Sequence, residues 1–123
     1  SSAAEWVCYG SLISAIGTGN QNTIDIEAGC ATPVIAADIC ANLTLGGYSD
    51  WFLPSKDELH QMYLNIGPGN NLGLGNIGGF ANHVYWSSTE VDNFKAWGQD
   101  FRNGYQGRVN KSYDIRVRAV RAF

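Results

Sequence analysis

From Tyr85 onward the residues of this chain alternate with a period of two, whereas before residue 67 the apolar positions recur at helical spacing. That change of period constrains the fold more than any other feature, because one element cannot satisfy both patterns. In the alternating half, Trp97, Gln99 and Phe101 take turns with Gly98, Asp100 and Arg102, and Asn103-Gly104 follows. Asn-Gly between alternating residues signals a two-residue hairpin turn. Such a turn sets Arg102 opposite Tyr105, Asp100 opposite Gly107 and Gly98 opposite Val109. These six share one face, open to solvent or ligand, while Trp97 and Phe101 turn to the core. Ile115 to Phe123 reads as a last strand that can pair with a first strand at Glu5 to Tyr9.

The helical half is shorter than its length suggests. Asn22 or Thr23 caps a short helix ending near Gly29. Thr32-Pro33 reads as an N-cap with proline at the first helical position, continued by Ile35, Ile39 and Leu43 and stopped by Gly46-Gly47. Ser55 and Glu58 form a capping-box pattern, and Leu59, Met62, Tyr63 and Ile66 repeat at i, i+3, i+4 and i+7. Residues 67–79 hold six glycines without periodicity and form a long loop. One α+β domain over residues 1–123 follows, with two short-to-medium helices packed on small antiparallel sheets and long loops between them.

Charge is distributed unevenly. Lys95, Arg102, Arg108, Lys111, Arg116, Arg118 and Arg121 give residues 95–123 a balance of +7 − 2 = +5, against +1 − 9 = −8 for residues 1–94. Arg116, Arg118 and Arg121 are expected to pair with acids of the first half. Arg102, Arg108 and Lys111, near the hairpin, are better placed for a ligand. The overall charge is negative and no nucleic-acid motif is present, so nucleic acid is not the expected partner. No apolar run reaches the roughly 20 residues that span a bilayer, so direct membrane insertion is not expected. No signal peptide is present, and a chain opening Ser1-Ser2-Ala3 reads as a mature or trimmed product, which leaves localisation open.

Other candidate chemistry has plainer explanations. Gly73, Gly75 and Gly78 match G-x-G-x-x-G, yet follow a helix and open none, unlike a dinucleotide site. His60 and His83 have no partner at the spacing of a triad. Asp57 and Glu58 suit a helix N-terminus, and Asp50 suits a turn. Asn42-Leu43-Thr44 is a glycosylation sequon at a helix end. Cys8, Cys30 and Cys40 are too few and too widely spaced for a zinc site. Their spacing fits either one disulfide between Cys30 and Cys40 or buried free thiols, with Cys8 left over. No metal, cofactor or catalytic group is implied.

The run Gly47-Tyr48-Ser49-Asp50-Trp51-Phe52-Leu53-Pro54-Ser55-Lys56-Asp57-Glu58-Leu59 resembles the signature of the bacterial Lcl C-terminal domain family. Tyr85-Trp86-Ser87-Ser88-Thr89-Glu90, Ala96-Trp97 with Phe101, Asn103 and Gly104, and Val117-Arg118-Ala119-Val120-Arg121 resemble its remaining blocks in order. The resemblance covers nearly the whole chain. It implies a C-type-lectin-like fold, related to the formylglycine-generating enzyme, in a secreted or surface-exposed binding module of bacterial or phage origin. That setting favours the disulfide between Cys30 and Cys40. The enzyme's copper-holding cysteines lie in its C-terminal part, whereas every cysteine here precedes residue 41. The Glu-Pro-Asn, Gln-Pro-Asp and Trp-Asn-Asp blocks of calcium-dependent lectins are missing. Neither activity is expected.

The same fold serves as the variable protein of diversity-generating retroelements, in which randomised Asn codons never yield Glu, Lys, Gln, Trp or Met. The positions outside the family framework are Val91, Asp92, Asn93, Phe94, Gly98, Asp100, Arg102, Tyr105, Gly107, Arg108, Val109, Asn110, Ser112, Tyr113, Asp114 and Ile115, and all hold reachable residues. The unreachable types, Trp86, Glu90, Lys95, Trp97, Gln99, Gln106 and Lys111, fall mainly on framework. Those sixteen positions are therefore the expected ligand-binding surface of a non-enzymatic extracellular module. Its partner is expected to be a protein receptor or a surface glycan, with self-association into a homo-oligomer as a further option. The alternatives are a fixed adhesin gripping anionic, sulfated glycans through Arg102, Arg108 and Lys111, and a structural assembly or tip domain.

Overall fold

The computed structural model describes residues 3–70 and 72–122. Three helices, α1 (Gly19–Ala28), α2 (Ala36–Ala41) and α3 (Lys56–Asn65), flank a single sheet. Its strands are β1 (Ala3–Ala4), β2 (Val84–Glu90), β3 (Lys95–Asp100), β4 (Gln106–Asn110) and β5 (Ile115–Arg116), in the order β1-β5-β2-β3-β4. The α+β class is as expected. The architecture differs in having three helices and one mixed sheet: β5 runs parallel to β2, pairing Arg116 with Tyr85, and every other pairing is antiparallel. The parallel step arises because the chain leaves edge strand β4 and crosses two strands, β3 and β2, before re-entering the sheet, which a hairpin cannot do.

Strand alternation sends Trp86 and Tyr85 to opposite faces. On one face Trp86 packs with Trp6, Ile26, Ile35, Leu53 and Ala96, beneath α1 and α2. On the other, Tyr85 joins Leu59, Phe80 and Phe101 beneath α3, with ring centroids 4.5–5.6 Å apart. Both buried indoles keep their N–H bonded: Trp6 Nε1 donates to Ser87 O and Trp86 Nε1 to Ala4 O, each at 2.7 Å. Burying those donors unpaired would cost about 1–3 kcal/mol each.

The capping box of α3 forms as expected, with Ser55 accepting from Glu58 N and Glu58 Oε1 from Ser55 N. Glu58 also accepts Gly17 N at 2.9 Å and Gly19 N at 3.1 Å, so one carboxylate ties together the starts of α1 and α3. A Cβ on Gly19 would lie 2.2 Å from that carboxylate, so position 19 admits only glycine without rearrangement. α1 begins earlier than expected. Asn22 and Thr23 are not caps but buried members of its inward face, with Gly19 and Ile26. Asn22 Nδ2 donates to Ile13 O at 2.8 Å, and Thr23 Oγ1 accepts Leu53 N at 3.0 Å. α2 begins later than expected, because Val34 takes φ 61° and cannot continue a helix from Pro33.

The first strand is Ala3–Ala4 rather than Glu5–Tyr9, and it pairs with β5 as anticipated. The last strand is only two residues long, followed by a bridge from Val120 to Phe52, and Phe123 lies outside the described residues. Apart from Asn71, residues 67–79 form the expected loop without helix or strand.

The expected disulfide is corrected: Cys8 bonds Cys30, with Cα atoms 6.0 Å apart, and Cys40 is the free, buried thiol. Cys40 faces inward from α2 beside Ala36 and Ala37, whereas Cys30 lies just beyond α1. Burial, with Glu27 nearby, pushes the Cys40 thiol up to about 12. The bond closes a loop with a separation of 22 residues, for which chain entropy alone gives about 3 kcal/mol.

Two outcomes follow from these contacts. Native protein without reductant will show no thiol reactive to Ellman's reagent and one after unfolding, and Cys8→Ser will lower the unfolding free energy by about 3 kcal/mol; a tryptic fragment linking Cys30 to Cys40 would contradict the pairing. Burial and the Asp38 carboxylate raise Glu27 from 4.5 to about 7. Its folded pKa exceeds its unfolded value, so the native state holds the proton more tightly and stability falls as pH rises from 4.5 to about 7. Glu27→Gln will therefore be more stable than the wild type at pH 8 and not at pH 4, as read from urea midpoints.

Candidate ligand-binding surface

The β3–β4 hairpin carries most of the expected site, in a register different from the expected one. Its connection is the four-residue loop 101–104, closed by Gly104 N on Asp100 O at 2.7 Å and Asp100 N on Tyr105 O at 2.8 Å. Phe101 causes the change. It is fully buried against Phe80, Tyr85 and Tyr63, so the chain leaves the ladder one residue after Asp100. Gly104 takes φ 82°, and a Cβ there would meet the Tyr63 ring at 2.6 Å. Gly98 accordingly faces Gly107, and Trp97 faces Arg108. The slip is by an even number of residues, so Gly98, Asp100, Tyr105, Gly107 and Val109 still share a face.

That face is the one whose upper part holds Trp86. Beyond the reach of α1 and α2 it is uncovered, and two shallow cavities meet at Val84. One, of about 180 Å3, lies over Gly98 and Gly107, with Asp100, Tyr105 and Val109 around it. The other, of about 370 Å3, is bordered by His83, Arg102, Asp114, Ile115 and Arg116. The two glycines lie side by side and leave the floor as bare backbone. A side chain at Gly98 would press on Val84 at 3.0 Å and Val109 at 3.1 Å, so that position varies least freely. Arg102 grips Asp100 through two nitrogens at 2.7–3.2 Å, and this hydrogen-bonded pairing holds the Asp100 carboxyl below its ordinary range.

The remaining expected residues gather at the far end of the hairpin. Lys95 pairs with Asn110 there, five positions from Asp100 and roughly 17 Å along the strand. Asp92 Oδ1 accepts Phe94 N and Lys95 N, which shapes the 91–94 loop and lowers the Asp92 pKa. Asn110 Oδ1 likewise accepts Ser112 N. Phe94 and Tyr113 project from this end with 74% and 60% exposure, beside exposed Asn93 and half-buried Val91. The expected set thus forms two patches, one at each end of the hairpin, linked by the crossing segment 110–115.

Two expected contributors are corrected. Lys111 is 4% exposed, ion-paired with Glu90, donates to Cys8 O at 2.8 Å and lies over the Trp6 ring at 4.8 Å. Arg108 lies on the opposite sheet face, stacked on Trp97 at 5.7 Å with Lys56 also over that ring at 4.4 Å. Arg102, Arg108 and Lys111 therefore form no common basic patch. Of the three C-terminal arginines, Arg121 pairs with Asp50 as anticipated, at 2.8 Å. Arg118 instead donates to Gly78 O at 2.8 Å. His83, Val84 and Arg116 border the cavities without having been expected. Only the Val84–Asp100 pairing exposes their place, and that pairing depends on a register no local motif encodes. His60 is half-buried, its Nδ1 2.8 Å from Gln99 Nε2.

Below the crossing segment, Glu90 and Lys111 are a buried pair, and breaking such a pair costs about 3–5 kcal/mol. Lys111→Met will lower stability by that order in chemical denaturation, and adding Glu90→Gln will restore part of it. An additive double variant would remove the pair from its assigned role.

Among the described residues no helix is long and apolar enough to cross a membrane, and the disulfide fits a protein outside the cytoplasm. No curated protein matches the chain. The family model of the Lcl C-terminal domain matches residues 13–121, which takes in α1 to α3, the hairpin and β5, and the chain belongs to that family.

Proposed function

We propose that this domain is a non-enzymatic extracellular binding module whose hairpin face and adjoining loops form a diversified, C-type-lectin-like recognition surface for a protein receptor. The observation that carries this reading is a separation of roles by burial. Of the seven residues of types that adenine-directed randomisation cannot reach, Trp86, Glu90, Gln99 and Lys111 are under 9% exposed and hold the scaffold, Trp97 and Gln106 are half-buried, and Lys95 is exposed. Of the sixteen variable positions, Asp92, Asn93, Phe94, Arg102, Tyr105, Arg108, Asn110, Ser112, Tyr113 and Asp114 are exposed, Val91, Asp100, Gly107, Val109 and Ile115 are half-buried, and Gly98 is buried. Phe94, Tyr105 and Tyr113 supply stiff contact area at low entropic cost, and Arg102 with Asp114 supplies polar selectivity, as in antibody paratopes. Three of the variable side chains also hold backbone, Asp92 accepting Phe94 N and Lys95 N, Asp100 accepting Arg102 N and Asn110 accepting Ser112 N, so change is tolerated best at the other exposed positions. The sulfated-glycan alternative is not favoured, since Lys111 is buried and Arg102 is neutralised by Asp100.

The test is a surface-displayed library randomised at Asn93, Phe94, Arg102, Tyr105, Arg108, Ser112, Tyr113 and Asp114. Most members will unfold cooperatively near the wild-type melting temperature, and selection will yield binders to unrelated proteins. A library randomised at Glu90, Gln99 and Lys111 will mostly fail to fold. Equal folding of the two libraries would refute the division. In the genome, a near-copy of the 3′ coding segment differing at adenines, beside a reverse transcriptase gene, is the expected signature.

A further inference from the structure

An apolar cavity of about 500 Å3 lies away from the hairpin and shares no residue with the two cavities at Val84. Met62 and Ile66 of α3 form one wall, and Leu45, Tyr48 and Trp51 form the other. Its backbone is set in advance. Trp51 Nε1 donates to Tyr48 O at 3.0 Å, and Phe52 and Val120 exchange backbone bonds at 2.8 and 2.9 Å.

Two guanidinium groups lie over aromatic rings at this cavity. Arg121 sits 3.6 Å over Tyr48 and is balanced by the Asp50 carboxylate. Arg118 sits 4.3 Å over Phe80 and donates to the carbonyls of Gly78 and Gly79. Among the described residues no carboxylate lies within ion-pair distance of Arg118. The cavity therefore combines an apolar wall with a cation, Arg118, that no carboxylate of the described residues pairs with. A guanidinium presents its N–H groups in one plane, which matches a planar anion. An apolar body with one anionic end complements both features, and the volume falls in the range of roughly 300–1,000 Å3 usual for small-molecule sites.

We propose that this cavity binds a small apolar carboxylate, its body between Met62, Ile66, Tyr48 and Trp51 and its carboxylate on Arg118. The site is independent of the hairpin and of whatever the hairpin recognises.

The experiment titrates the whole domain with 1-naphthoate and with neutral 1-naphthalenemethanol, followed by amide shifts in two-dimensional NMR. Naphthoate is expected to bind about fivefold more tightly, with shifts centred on residues 45–51 and 62–66. Arg118→Met, checked for an unchanged melting curve, will equalise the two probes. Ile66→Glu, on a wall residue already 39% exposed, will abolish naphthoate binding without unfolding the domain. Tyr105→Ala will change neither affinity. Equal affinity of the two probes for the wild type, shifts centred on Gly98 and Gly107, or naphthoate binding that survives Ile66→Glu would each overturn the proposal.

Discussion

The buried ion pair between Glu90 and Lys111 is the contact on which the arrangement of this domain depends. Glu90 ends β2, and Lys111 opens the segment that carries the chain from β4 across the sheet to β5. Around the pair, Gly10 N donates to Glu90 Oε1, Lys111 Nζ donates to Cys8 O, and Trp6 N donates to Lys111 O. Three stretches far apart in sequence thus meet at one charge pair. Neither charge survives alone in such a place, because burial without a partner costs several kcal/mol. The pair therefore specifies where the N-terminal segment and the crossing segment must lie. The exposed residues 112–114 and the cavity beside Val84 inherit their position from it.

Much of the interior around this contact is polar. Ser87, Ser88 and Thr89 are all buried in β2. Thr89 Oγ1 donates to Ile13 O and accepts Lys56 N, while Ser88 N donates to Pro54 O. These bonds hold irregular segments against the sheet where a strand ladder is absent. Glu58 acts similarly at the starts of α1 and α3. Loop-rich domains carry many backbone groups without ladder partners, and fixed side chains must satisfy them. In the buried part that task falls to residues outside the exposed patches, while within the patches Asp92, Asp100 and Asn110 hold the loop backbone.

The two ends of the molecule consequently differ in kind. At the hairpin, exposed side chains stand on a bonded backbone, and a change of residue type costs little beyond the side chain itself. At the cavity between α3 and the C-terminal residues, the buried Phe80 ring carries Arg118, and the exposed Tyr48 ring is held under Arg121. A surface of the first kind suits many partners in turn, and a cavity of the second kind suits one class of ligand.

Local signals determined a good part of this. The Ser55–Glu58 capping box, the glycine loop, the alternation from Tyr85 and the shared face of Gly98, Asp100, Tyr105, Gly107 and Val109 rest on neighbours in sequence, and all are present. The start of α1 is not legible locally, because Asn22 and Thr23 face inward to bond Ile13 and Leu53, which nothing nearby in sequence reveals. The hairpin register was decided by Phe101 entering a cluster with Phe80 and Tyr85. The disulfide, the burial of Lys111 and the two-ended shape of the exposed surface were likewise settled by contacts between distant segments. Periodicity and caps are properties of a few adjacent residues. Pairing partners and burial depend on which segments the whole chain brings together, and only the tertiary structure decides that.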